Sequence, residues 1–265
     1  MKAKKTNLWA LFWAIVGLLY FFVPLYGTLD FSLRMERGKI SLLAYQTVLS
    51  DPQFLESFRY SATMGLITVV VSILLFLPTV FWLHYKLPQA RPVVEIITTL
   101  PFIVPVIVFV FGLIRTFSGP PFQLTETPFK TDILITAGYV VLSMPYMYRS
   151  IDIGMRSIDV RGLTEAAQSL GSNWVQILFH VILPNLRGAV LGGSLISFAL
   201  VIGELILGDF LARPALGPYM VQVGRDAAYE PAAMAMLAWG LTWICLILIQ
   251  FVGRGRTTSQ QLTGR

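Results

Sequence analysis

The sequence predicts an all-α, polytopic membrane protein with six transmembrane helices and a helical cytoplasmic loop between the fourth and the fifth. Three observations predict it. Of the 265 residues, 55% are hydrophobic and 13% charged, whereas an ordinary soluble domain carries about 25% charged residues. Six long apolar runs alternate with polar segments, and the basic residues gather on one side of those runs. A water-soluble globule is excluded, and six spans of about 20 residues leave room for loops but not for a second large domain. The net charge of +6 comes from basic residues scattered in ones to threes, which is a topology signal and not a nucleic-acid patch. Cys245 is the single cysteine, so an internal disulfide and a Cys-rich metal site are excluded.

The apolar runs cover 8–29, 62–83, 93–114, 133–148, 188–211 and 232–252. The first follows Lys2, Lys4 and Lys5 but is longer than a signal-peptide core. It ends in Phe21, Phe22, Tyr26 and Leu29 and not in a small-residue cleavage site, so it is read as a retained anchor. Pro24, Pro78, Pro101, Pro105 and Pro145 fall within the runs. Pro101 and Pro105 share a helix face, each removes a backbone hydrogen bond, and with Pro145 they are candidate helix bends. A bend serving only packing is the plainer reading of that pair. The fifth run opens with Gly188 and Gly192, a small-xxx-small pair that lets helices approach closely.

Acids inside the fifth run stand out. An ionised carboxylate at the depth of Glu204 costs about 2.5–3.5 kcal/mol, so Glu204 is expected to face the bundle interior. It could line a translocation path or fill a buried, hydrogen-bonded structural role. Asp209 lies about 140° further round the helix, and it too is a candidate path residue, although pairing with Arg213 at i,i+4 is the simpler expectation. Glu95 is expected to pair with Arg91 in the same way. His84 and His180 have no neighbours at metal-ligand spacing, so no metal site is expected.

Charge sets the orientation. With the N-terminus inside, the cytoplasmic segments hold Lys2, Lys4, Lys5, Lys86, Arg91, Arg149, Arg156, Arg161, Arg187, Arg254, Arg256 and Arg265 against Asp152, Asp159 and Glu165. The opposite side balances eight basic residues, Arg34 and Arg37 among them, with eight acids. Both termini are therefore expected in the cytoplasm. Residues 1–57 read as an anchor and first external loop, 58–252 as the core with its loop at 149–187, and 253–265 as a cytoplasmic tail.

Within that loop, Leu163, Ala166, Ala167 and Leu170 recur at helical spacing, and Gly171 can supply a left-handed stop. Ser172 or Asn173 can cap a second helix, whose Trp174, Ile177, Leu178 and Val181 share a face before Pro184 ends the run. A helix-turn-helix of this kind can lie on a membrane surface or dock into a groove of a partner.

These residues resemble a family signature. Glu165-Ala166-Ala167, three residues, Gly171, nine residues, Val181, one residue, then Leu183-Pro184 is similar to the EAA motif of the membrane permeases of ABC importers, with Val where Ile is usual. The similarity in span pattern extends from about Phe58 to Phe251. The resemblance implies that the helix over 164–170 couples to a separate ATPase, through Glu165, Ala166, Ala167, Gly171, Leu183 and Pro184. It implies two ATPase subunits, a second permease subunit that is identical or paralogous, and an extracytoplasmic substrate-binding protein, in the lipid of a prokaryotic inner membrane.

No GxxxxGK[ST] loop occurs in the chain. ATP is therefore expected on the partner, with no cofactor in this chain and no enzymatic activity of its own. Polyamine permeases of the family carry acids near the position of Glu204, and Leu170, not Asp, precedes Gly171. The first feature implies a small solute leaning to a polyamine-like cation; the second resembles the polyamine, iron, sulfate, thiamine and phosphonate group and not the sugar permeases, which keeps an anion, iron or thiamine as alternatives. A lipid-modifying membrane enzyme is the rival class, and it would need clustered polar residues that the sequence does not supply.

Overall fold

The computed structural model describes residues 8–36 and 38–254. Lys2, Lys4, Lys5, Arg37, Arg256 and Arg265, and with them most of the expected tail, lie outside the described residues. Every regular element among those described is helical. The chain forms two compact units, residues 1–55 with 220–240, and residues 56–219 with 241–265.

The first unit contains α1 (Leu8–Ser32), α2 (Leu43–Ser50) and parts of α12 (Leu216–Asp226) and α13 (Glu230–Arg254). The apolar surface of α1, from Trp9 to Phe31, is exposed, as a lipid-facing anchor requires. Its end is fixed locally: the Ser32 and Tyr45 hydroxyls share a 2.7 Å hydrogen bond, and Phe31 stacks on Tyr229 at 4.8 Å.

The second unit is built on α3 (Pro52–Tyr85), α4 (Arg91–Ile103), α5 (Val106–Phe117), α6 (Pro128–Arg156) and α10 (Arg187–Ile202). Two straight helices are long and apolar enough to cross a membrane, α1 and α3. The third expected span is a bent pair, and the fifth, expected over 188–211, divides into α10 and a short helix over 206–210, with α10 itself bent against the loop segment that precedes it. Residues 88–103 and 106–117 meet at 104°, and 174–185 and 187–202 at 83°. By length and composition the described residues thus give two spans, or four if each bent pair is one. The expected fourth and sixth runs fall on α6 and α13.

The first bend has a local cause. Pro105 cannot donate to a helical ladder and pushes Val104 into an extended conformation (ψ 120°), so α4 stops and α5 begins with Pro105 as its N-cap. Pro145, by contrast, sits inside an unbroken α6.

Helix α6 is the central post, with residues buried on most of its sides along its length. Its neighbours approach through missing side chains. A Cβ on Gly193 of α10 would come within 3.0 Å of Met147 and Ser150, and one on Gly154 of α6 would meet Ala189 at 2.6 Å. A Cβ on Gly138 would collide with Leu207. Gly188 has no neighbour within 4 Å and Gly192 only an ordinary contact, so the close approach expected at that pair is made one residue on. Two apolar cores result. Leu77, Phe81, Met147, Ile151, Ile177 and Ile182 pack near one end of α6, and Met64, Val110, Ile135, Tyr139, Val201 and Leu207 near the other.

Replacing Gly193 with Leu forces α10 off α6 against backbone as well as side-chain atoms. The expected cost is about 1–3 kcal/mol, read as a lower unfolding temperature of the detergent-solubilised protein, whereas Gly188→Leu should leave that temperature unchanged.

Candidate functional site

The loop between α6 and α10 folds from its own caps. Asp159 accepts a 3.0 Å hydrogen bond from the Gly162 amide and starts α7 (Val160–Ser169). Gly171, at φ +80°, ends it: its amide donates to the Gln168 carbonyl, and the Ser172 amide to that of Ala167. Asn173 then begins α8 (Trp174–Gln176) in a reciprocal capping box with Gln176, both bonds 2.9 Å long. The chain runs on through a π-helical stretch, Ile177–Ile182, and α9 (Leu183–Asn185). Pro184 does not end the run; the turn comes at Leu186.

The inward face of α7 differs from the one the periodicity suggested. Val160, Thr164 and Ala167 are buried, while Glu165 and Ala166 are exposed and Leu170 is 87% exposed. Thr164 can be buried because its hydroxyl donates to the Val160 carbonyl. Ala167 thus anchors the helix, and Glu165, Ala166 and Leu170 form its outward face. Beside them a shallow groove of about 380 Å³ is lined by Leu170, Gly171, Ser172, Gln176 and His180.

An aromatic clasp ties this loop to the end of α3. The Trp174 ring lies 5.0 Å from Trp82 and 5.7 Å from Tyr85, and the Lys86 ammonium sits 5.3–5.9 Å from all three ring centroids.

At the same end of the unit, Asp152 is a charge hub. Its carboxylate, 5% exposed, takes His84 at 2.8 Å, Arg91 at 2.7 and 2.9 Å, and Arg156 at 3.0 Å. Arg91 also bonds Glu95 at 3.1 Å, and Arg156 approaches Glu95 at 3.4 Å. The hub joins α3, α4 and α6. Asp152 lies four residues past the apolar segment of α6. Burial pushes its carboxyl upward, but the hydrogen bonds from His84, Arg156 and Arg91 outweigh burial and hold it below the usual carboxylate range.

Sequence reasoning counted Asp152 only as one acid among basic neighbours. The i,i+4 spacing to Arg156 was its one local signal.

The far end of α6 is clamped similarly. Asp132 accepts from the Tyr60 hydroxyl at 2.6 Å and from Arg213 at 2.8 Å, and Arg213 lies over the Tyr60 ring. Arg213 therefore does not serve Asp209, which is exposed. The two residues do not share a helix, since α11 (Ile206–Phe210) ends before Arg213.

Glu204 is not in a continuous helix. α10 ends at Ile202, and Glu204 lies in the break before α11, where its carboxylate accepts from the Ile206 amide at 2.7 Å and from the Leu207 amide at 2.9 and 3.1 Å. The buried Tyr139 hydroxyl also reaches it. Gly217 is close behind, and a Cβ there would meet the Glu204 carbonyl oxygen and the Leu205 Cα within 3 Å. Glu204 also lines a cavity of about 450 Å³ whose other walls include Pro101, Phe102, Val106, Leu142 and Tyr146. Glu204 thus caps a helix start and faces a cavity.

The description of one protein family, "Binding-protein-dependent transport system inner membrane component", matches residues 59–255. This chain belongs to that family. The resemblance read from Glu165 to Pro184 is borne out.

Among curated relatives of this family member, the spermidine/putrescine transport system permease protein PotB of Haemophilus influenzae is 26% identical over 177 residues. That match covers 62% of this chain and 61% of PotB. A probable molybdenum ABC transporter permease protein of Haloferax volcanii is 26% identical over 247 residues, covering 90% of this chain and 87% of the relative. A solved chain from a bacterial ABC transporter involved in import of the acidic polysaccharide alginate shares the fold. Its TM-score is 0.69 at 16% identity, over 95% of this chain and 96% of that one.

Two outcomes follow from this geometry. Asp152→Asn leaves three cationic or protonatable groups around a neutral amide and is expected to cost about 3 kcal/mol, measured by thermal unfolding in detergent. Because folding lowers the Asp152 pKa, its contribution is intact at neutral pH and above. It is lost as pH falls through and below the usual carboxylate range, and Asp152→Asn should remove that part of the acid sensitivity. Glu204→Ala is expected to cost about 1.5–3 kcal/mol in the same assay, and Glu204→Gln, which keeps an acceptor oxygen, distinctly less.

Proposed function

We propose that this chain is the transmembrane permease subunit of an ATP-binding-cassette importer, forming the translocation path and coupling it to ATP hydrolysis on a separate subunit. The observation that carries the reading is the outward face of α7. Glu165 and Ala166 are presented to solvent beside the exposed Leu170, while Thr164, Ala167 and the Trp174 clasp fasten the helix to the bundle. A charged, small-residue face with a protruding Leu suits insertion into a cleft, and its rigid attachment lets a push on α7 reach α3 and α6. Family membership supports the same assignment.

In this reading six spans cross a prokaryotic inner membrane, the loop and both termini lie in the cytoplasm, and a second permease subunit completes the pore. Two ATPase subunits bind below, and an extracytoplasmic binding protein delivers cargo from the other side. Closure of the ATPases tilts the spans and exposes the path to each side in turn. Glu165, Ala166, Ala167 and Gly171 couple, Leu183 and Pro184 support the loop, and Glu204 borders the path.

The cargo is a small solute, and the carboxylate of Glu204 at the wall of the 450 Å³ cavity supports a polyamine-like cation. The likeness to PotB points the same way, and the molybdenum relative keeps an oxyanion as the competing cargo.

Gly171 tests the coupling. A β-branched residue is strained at φ +80°, so Gly171→Val should reshape the turn. The complex purified from native membranes is expected to keep hydrolysing ATP while uptake into proteoliposomes falls on the order of tenfold, a loss of coupling worth about 1.4 kcal/mol. Normal uptake by that variant would overturn the assignment. In the same proteoliposomes, labelled putrescine should accumulate with ATP and molybdate should not; the reverse result would replace the cation with an anion.

A further inference from the structure

The 450 Å³ cavity beside Glu204 has a neighbour. A second cavity of about 190 Å³ lies toward the loop end of the same unit, lined by Glu95, Thr98, Thr99, Tyr148, Arg149 and Asp152, with Phe102 and Pro145 completing its wall. The two differ in chemistry. The first is walled mostly by aliphatic and aromatic side chains around one carboxylate, whereas the second is lined by hydroxyls and charges.

One side chain lines both cavities, that of Phe102. Its ring meets Tyr146 edge-on, with centroids 5.4 Å apart and planes at 88°, a favourable aromatic arrangement. Tyr146 itself lines the first cavity, and its neighbours Pro145 and Tyr148 line the second.

Both rings sit where the backbone is weakened. Phe102 is two residues ahead of the Val104–Pro105 break, across which the chain turns by 104°. Tyr146 follows Pro145, which gives α6 no hydrogen bond at that position. A small rotation at the break carries the Phe102 ring away from Tyr146 without unmaking a helix.

We propose that the two cavities are successive compartments of one solute path, and that Phe102, closed against Tyr146, is the barrier between them. The assignment rests on the permease reading for what travels the path, but the barrier itself is a property of this chain. The prolines at 101, 105 and 145 then flank a moving part. Cargo leaving the Glu204 side passes the aromatic pair into a polar compartment, where Thr98 and Thr99 replace part of its hydration.

The test needs neither cargo nor ATPase. In a Cys245→Ala background, Leu205→Cys reports the first cavity and Thr99→Cys the second. Both are labelled in membrane vesicles with a membrane-impermeant sulfonated maleimide, and the vesicle side from which Thr99→Cys reacts defines the loop side. With Phe102 present, Leu205→Cys is expected to react from that side on the order of tenfold more slowly than Thr99→Cys. Phe102→Ala should bring the two rates together, and Phe102→Leu, which keeps the bulk, should not.

The Thr99→Cys rate measured with Phe102→Ala reports whether that variant is still folded. Equal rates with Phe102 in place, or a Leu205→Cys rate unmoved by Phe102→Ala in a variant whose Thr99→Cys rate is normal, would overturn the barrier. Failure of the permease reading would show elsewhere, as intact uptake in Gly171→Val, and would leave this labelling pattern standing.

Discussion

Everything in the larger unit depends on how closely other helices can approach α6. In lipid, apolar surface gains little by leaving one hydrocarbon environment for another, so helices are held by packing and by polar contacts. Gly154 and Gly193 let α6 and α10 meet at backbone distance, and Gly138 admits Leu207 of α11. Polar clamps then fix the register at each end, Asp132 with Tyr60 and Arg213 at one, and Asp152 with His84, Arg91 and Arg156 at the other. Both carboxylates belong to α6. Loosening that helix would release α3, α4 and α10 together.

The same helix joins the loop to both cavities. α7 is fastened inward by Val160, Thr164 and Ala167, and Trp174 is fastened to α3 by the aromatic clasp. The Asp152 hub lies on the wall of the polar cavity, and Tyr146, one and a half turns earlier on α6, lies on the wall of the other. A displacement of the loop therefore has a continuous, packed route to the side chains around both cavities. No long lever is required, since α3 carries partners of both the clasp and the hub, and α6 carries the hub and part of both cavity walls.

Much of this was legible from sequence because its causes are local. Apolar run length gives the helices, Gly171 a left-handed turn, Asn173 a helix cap, and Pro105 a bend in the third run. The Arg91–Glu95 pair is also local and is present.

What was not legible has non-local causes. Nothing in the apolar run around Glu204 announces a break, because its satisfied backbone depends on the Glu204 side chain curling back and on Gly217 arriving from further along the chain. Arg213 chose Asp132, 81 residues away, over Asp209. The periodicity of Leu163, Ala166, Ala167 and Leu170 does not mark the inner face of α7, because Thr164 takes the inner position by bonding its own backbone.

The most direct measurement of the central claim is crosslinking from Ala166→Cys in a Cys245→Ala background, in native membranes, with mass spectrometry of the captured protein. Ala166 is the suitable position because it is exposed, whereas Ala167 is buried. The account predicts capture of an ATPase subunit with a yield that changes when nucleotide is added. Capture of no ATPase, from a variant that remains folded in the membrane, would contradict it.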